Sequence, residues 1–440
     1  MILIKFRRIW EIAYPIVIGS IAQNLLSVTD TAFIGRLDEV SLGATALGGV
    51  FYVSVMMLGL GFSIGIQVIV ARRRGEGRSD SIGQVLHHAL YFMIPFVLLL
   101  WMLFRKTGSD ILSLLVRSPD VLEATIDFFD MRITGILFGF MLYVCQAFFV
   151  GIAQTKFISY VTGLMVVVNI VLDWVMIFGH AGFETMGIRG AALASVISEA
   201  VAVVVYVTYI YRRQNFRQYR IFRKLRYVPA EMRNLLKISV PASLQNFLSV
   251  ASWFIFFIMV EKLGEQALAV SNIGRSLYML FLLPVWGFAS AVNSLVSYSI
   301  GCRKPLLTFP IIGKVTALTA VSIIVLEAFA FVFSDFVTAI YTDIPSLIEP
   351  TKNVMPAICI SALVFGTGFV CFNAVSGTGN THIALMLEII ATLIYLVITV
   401  LAVDSWGWGI IYVWLVDGIY GVVMAAFSLA YLFAGTWMKK

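Results

Sequence analysis

Charge is what this chain has least of. Lys, Arg, Asp and Glu make up 12% of its 440 residues and hydrophobic residues 60%, against roughly 25% and 45–50% in soluble domains. That shortage excludes a soluble globular protein. Its apolar runs are about twenty residues long, the length that crosses a bilayer as a helix, whereas a membrane β-barrel shows only short alternating segments. Cysteine is scarce as well: Cys145, Cys302, Cys359 and Cys371 have no metal-ligand spacing and read as packing residues, not a disulfide framework. A P-loop is missing, which argues against ATP as the driving force. A catalytic constellation is missing too: "DFFD" at 127–130 has the spacing of an Asp pair, but no second motif accompanies it. Neither an enzyme nor a cofactor is expected.

What is present is a polytopic helical membrane protein. Twelve spans are expected, among them the first at 12–34, the fourth at 132–152, the fifth at 157–179, the sixth at 187–210, the seventh at 238–260 and the last at 407–433. The start "MILIKFRRIWEIAYP" has the basic residues of a signal peptide. Its apolar run is too long, however, and no small-residue cleavage site follows, so it reads as a retained first span. "SPDVLEATIDFFD" (118–130) and "SDFVTAIYTDIPSLIE" (334–349) read as external loops.

The formal net charge of +7 is not a nucleic-acid footprint. Basic residues gather in alternate loops, at Lys5 to Arg8, Arg72 to Arg78, Arg212 to Lys237, Arg303 with Lys304, and Lys439 with Lys440. This positive-inside pattern places both termini in the cytoplasm, in a plasma (bacterial inner) membrane. The bilayer is the expected partner of the basic segment 212–236.

That segment divides the chain into two lobes of six spans, 1–211 and 237–440. Laid on the first half at an offset of 226 residues, the second half repeats it without gaps. Pro15 falls on Pro241, Leu37 on Leu263, Glu39 on Glu265, Gly48 on Gly274, Tyr52 on Tyr278, Gly151 on Gly377 and Thr155 on Thr381. An even number of spans per half makes this a parallel repeat, with a site expected between the lobes. The expected fold is therefore all-α, twelve transmembrane helices in two six-helix lobes.

The repeat fails where the chemistry lies. Asp30 maps onto Phe256, Asn169 onto Tyr395 and Asp173 onto Thr399. Asp30 stands deep in the first apolar run, where an ionisable residue is costly and marks a pathway or a proton relay. Gln23, Ser27 and Asp30 share one helical face, as do Asn169 and Asp173, and Ser195 and Glu199. Burial and like charge both favour the protonated form of a carboxyl, so a pocket whose hydration changes can load and release a proton. Glu327, Glu388 and Asp417 have no polar partner at helical spacing and read as boundary or packing residues. On this reading the polar machinery belongs to the first half alone. Pro15 and Pro241, early in the first helix of each half, are candidate hinges. Gly135 and Gly139 suit close helix packing.

"YPIVIGSIAQNLLSVTDTAFIGRLDEVSLGA", "VPASLQNFLS…KLGEQALAV" and "NIVLDWVMIFG" followed by "MGIRGAALAS" resemble the multidrug and toxin extrusion (MATE) family over nearly the whole chain. The resemblance implies two lobes that alternate between inward- and outward-open states. They would export small amphipathic, commonly cationic compounds against H⁺ or Na⁺, and a monomer suffices for this. Carried over by position, Asp30, Asn169 and Asp173 form the ion-coupling site, with Na⁺ as the alternative ion on the same three residues. Apart from the resemblance, Gln23, Ser27, Ser195 and Glu199 are expected to line the cavity by their shared helix faces, and Phe256 by the apposition of the lobes. The sodium-coupled, NorM-like branch carries an acid where Ser249 stands here, so the pattern is nearer the DinF-like branch. The rival reading is a lipid-linked precursor flippase of the same superfamily. Acidic rather than basic intramembrane groups argue against its anionic cargo.

Overall fold

The computed structural model describes residues 5–116, 118–223, 227–341 and 344–439. Residues 224–226 of the basic segment and Lys440 lie outside the described residues. Among those described, the chain forms fourteen α-helices and no strand. The first seven are α1 (Phe6–Ile34), α2 (Glu39–Gly75), α3 (Ile82–Leu115), α4 (Pro119–Thr134), α5 (Ile136–Gly151), α6 (Lys156–Phe178) and α7 (Gly187–Arg212). The others are α8 (Pro229–Glu261), α9 (Glu265–Gly301), α10 (Thr308–Val332), α11 (Ser334–Tyr341), α12 (Pro345–Gly377), α13 (Thr381–Val400) and α14 (Ile410–Ala434).

Among the described residues eleven elements are long and apolar enough to cross a membrane, and α4 with α5, bent by 51° at Gly135, passes the same test as a broken pair, a twelfth if it counts as one span. The fourth span is thus longer than 132–152, and the expected external loop 118–130 is helical. The physical reason is local. Pro119 pre-sets the first helical turn, and Thr125, Phe129 and Ile133, four residues apart, are buried. The "DFFD" carboxylates lie on this helix, Asp127 paired with Arg189 at 2.6 Å and Asp130 with Arg105 at 3.0 Å. Part of the expected 334–349 loop is helical as well, as α11 and the first turns of α12.

Helix ends follow their residues. Asp38 caps α2 by accepting the Ser41 backbone N–H at 2.6 Å. Gly179 closes α6 in the left-handed region at φ +72°. The repeat is visible in the elements: α2 and α9 are both 37 residues long and start and stop at equivalent positions.

The chain divides into two compact units, residues 18–239 and residues 1–17 with 240–440. These differ from the expected lobes at both edges. Phe216 and Tyr219 of the basic segment are buried beside Phe148, which ties that segment to the first unit. Trp10 packs on Phe288, which ties the start of α1 to the second. The chain passes between units at Val17/Ile18 and at Ser239/Val240, beside Pro15 and Pro241. Both prolines sit inside continuous helices.

Backbones approach closely where glycines permit. In the second unit, a Cβ on Gly421 would meet Phe365 Cα at 2.5 Å, and one on Gly368 would meet Gly421 O at 2.3 Å. A Cβ on Gly313 meets nothing within 4 Å. Gly421→Val is therefore expected to destabilise by about 1–3 kcal/mol through overpacking, and Gly313→Ala to be near neutral. Thermal unfolding of the two variants in detergent checks the contrast.

Candidate functional site

The site lies within the first unit and begins on α6. Its buried positions recur at helical spacing, with Val161, Thr162, Met165, Val166, Asn169, Asp173, Met176 and Ile177 turned inward. Tyr160, Leu164, Val167, Val171 and Trp174 are exposed, as a lipid-facing side requires. Asn169 and Asp173 are both fully buried, at 0% exposure. Asp30 on α1 is half-buried and reaches the same point.

The amide of Asn169 bridges the two acids. Oriented with its nitrogen toward them, it donates to Asp30 Oδ1 at 2.8 Å and to Asp173 Oδ2 at 3.0 Å. Its oxygen then faces the Ser195 hydroxyl at 3.4 Å. The carboxyls of Asp30 and Asp173 are also within hydrogen-bond reach of each other. Two bare anions resist that approach, and a shared proton or a small cation satisfies it. Asp173 Oδ1 is buried without a hydrogen-bond partner, so the cluster retains an unused acceptor.

Glu199 is placed differently from its expected pocket-lining role. It forms a 3.0 Å ion pair with Arg132 on α4, and both side chains are largely buried. The guanidinium also lies over the Tyr52 ring, 4.3 Å from its centroid. Arg132 is close enough to Asp30 and Asp173 to act on both electrostatically. Sequence reasoning missed this arginine because it stands at the edge of an acidic stretch taken for a loop. Its position just before the Gly135 bend was the available signal. Three carboxyls therefore face one guanidinium, so full ionisation would leave negative charge unbalanced.

The remaining expected residues separate. Ser195 joins the site through Asn169. Gln23 and Ser27 are exposed on α1 and take no part in the bonds just described. Phe256 belongs to the second unit, fully buried among Phe257, Tyr395 and Trp414. Among the described residues no group of three or more His, Cys, Asp or Glu is poised to hold a metal. The two carboxyls offer oxygens to a proton or a small cation, while the Asn169 amide, its nitrogen turned to both acids, steadies them without ligating.

The second unit also holds buried acids with polar partners that spacing along the sequence had not supplied. Glu388 is fully buried and accepts from Ser249 at 2.5 Å and Tyr420 at 2.6 Å. Asp417 is buried and accepts from the Tyr278 hydroxyl. These partners sit on different helices, so spacing along one helix could not reveal them.

A MatE family model matches residues 15–175 and again 241–401, the same offset as the internal repeat and most of the chain. The chain belongs to this family, whose members are membrane transporters and not enzymes. Among its relatives is "Probable multidrug resistance protein NorM" of Agrobacterium fabrum, 28% identical over 298 residues, or 67% of this chain and 64% of that protein. The protein of the same name from Thermotoga maritima is 23% identical over 434 residues, or 98% of this chain and 92% of that protein. The fold is similar to that of a multidrug resistance MATE family transporter solved in an outward-facing conformation, at a TM-score of 0.91 and 19% identity, covering 99% of this chain and 97% of that one. A MOP superfamily transporter from Pyrococcus furiosus gives a TM-score of 0.89 over the same shares, also at 19% identity.

The buried ion pair sets a testable energetic pattern. Arg132→Met or Glu199→Gln alone leaves a buried group unpaired and is expected to destabilise by about 3–5 kcal/mol. The double variant is expected to lose less than the sum of the two. A double-mutant cycle on thermal unfolding of the purified protein reads this coupling.

Proposed function

We propose that the protein is a secondary active exporter of amphipathic, cationic small molecules, driven by the inward flow of H⁺ or Na⁺. The observation that carries this reading is the Asp30–Asn169–Asp173 cluster. Its two carboxyls, Asp173 buried and Asp30 half-buried, share one amide, and they accept a single positive charge most favourably. A cargo cation and a coupling ion that both seek this negative site bind one at a time, and that exclusion is the coupling an antiporter needs. Release of the ion alters the hydrogen bonding at Asp30, which lies on the same helix as Pro15. Pro15 and Pro241, beside the two chain passages between units, are suited to bend as access alternates. The acidic character of the site also argues against the anionic cargo of a lipid-linked precursor flippase.

The energetics are adequate. A membrane potential of about 100 mV is worth ~2.3 kcal/mol per charge, and a pH unit adds ~1.4 kcal/mol. A neutral cargo exchanged for one proton draws on both, enough for a gradient of several hundredfold. A monovalent cation exchanged one for one draws on the ion gradient alone, about tenfold per pH unit.

Efflux of ethidium from proteoliposomes, under an imposed pH or Na⁺ gradient, tests the reading. Wild type is expected to export when H⁺ or Na⁺ flows inward, and Asp30→Asn and Asp173→Asn are each expected to lose gradient-driven flux by about tenfold or more. Gradient-driven flux undiminished in both variants would remove coupling from this cluster. Absence of flux under either gradient would defeat the exporter reading itself.

A further inference from the structure

The basic end of α2 carries a cavity whose lining shares no residue with the Asp30–Asn169–Asp173 cluster. It has a volume of about 140 Å³, room for a phosphate group. Arg72, Arg73, Glu76 and Arg78 line it from α2 and the turn that follows, with Asn234 and Ile238 on α8 opposite. The two helices are held together on either side of it. Arg73 Nη2 pairs with Glu231 Oε1 at 2.6 Å, and a Cβ on Gly65 would fall 2.9 Å from Ser239 Cα.

The electrostatics of the lining favour an anion. Three guanidinium groups border the cavity and one carboxylate does, with Glu231 already engaged by Arg73. Arg73 is 11% exposed, yet its Nη1 is buried with no hydrogen-bond partner. A buried charged donor without an acceptor is costly, so the geometry calls for an acceptor from outside the chain. Arginine forks match the oxygens of a phosphate better than any neutral group.

We infer that this cavity is a binding site for a phosphate-bearing anion, held between the end of α2 and the first turns of α8. Its place at the end of a membrane-spanning helix, on the side where basic residues gather, suits the headgroup of an anionic phospholipid. A soluble phosphate compound offers the same oxygens. Either ligand would fasten α8 to α2 close to the Ser239/Val240 passage between units. This inference is independent of what the protein transports.

The test uses the delipidated whole chain in neutral detergent at low ionic strength. It is titrated separately with phosphatidylglycerol, phosphatidylcholine and inorganic phosphate, with binding read by native mass spectrometry and thermal shift. Phosphatidylglycerol is expected to bind more tightly than phosphatidylcholine, and to lose about fivefold in affinity for each of Arg72→Gln and Arg78→Gln. Salt is expected to weaken it. Inorganic phosphate binding with the same losses would support the site and assign it to soluble phosphates. No preference for phosphatidylglycerol together with no phosphate binding would overturn the inference, as would a preference that survives when Arg72→Gln and Arg78→Gln are combined. Arg78 is exposed and pairs only weakly with Glu76, at 3.5 Å, so Arg78→Gln keeps the fold and the Arg73–Glu231 tie intact.

Discussion

A carboxyl inside a bilayer has no water to satisfy it, and the first unit is arranged around meeting that cost. An isolated ionised carboxylate in a low-dielectric interior costs several kcal/mol even after relaxation. Asn169 answers with both of its N–H donors, one to each acid. Arg132 supplies the nearby positive charge but is already committed to Glu199. The balance is left deliberately incomplete, with more acid than base and an acceptor on Asp173 unused.

The two units resolve the same problem in different ways. Both carry a tyrosine at the equivalent repeat position. Tyr52 lies against a guanidinium, and Tyr278 donates to a carboxyl. Hydroxyl donors from Ser249, Tyr278 and Tyr420 meet the buried acids of the second unit, and an aromatic shell with Phe256 and Trp414 packs beside them. Duplication thus kept the order of the helices, the 37-residue length of α2 and α9 and glycines such as Gly48 with Gly274 and Gly151 with Gly377, while each copy acquired its own polar interior.

The fold was legible because its signals are periodic. Apolar length marked out the spans, and a constant offset marked the repeat that the paired family matches reproduce. The core of the site was legible for the same reason, since Asn169 and Asp173 lie one turn apart on a single helix face. Contacts made between helices were not. Arg132 and Glu199 are 67 residues apart and Ser249 and Glu388 are 139 apart. No local pattern distinguishes such partners from isolated polar residues. The 118–130 segment was misread because its acidity resembled a loop, although Thr125, Phe129 and Ile133 already carried the helical spacing. Phe256 was expected at the cavity as a bulky apolar residue on the apposed lobe; it packs against Tyr395 and Trp414, contacts between helices that no local pattern reveals.

The central claim is that one positive charge and the cargo exclude each other at the Asp30–Asn169–Asp173 cluster. The most direct measurement is the equilibrium affinity of the purified protein for ethidium as pH and Na⁺ concentration are varied, with Asp30→Asn in parallel. The account predicts that affinity falls as the coupling ion rises, approaching tenfold per tenfold change in that ion, and that the dependence disappears in Asp30→Asn. An affinity indifferent to both ions, or an unchanged dependence in the variant, would contradict it.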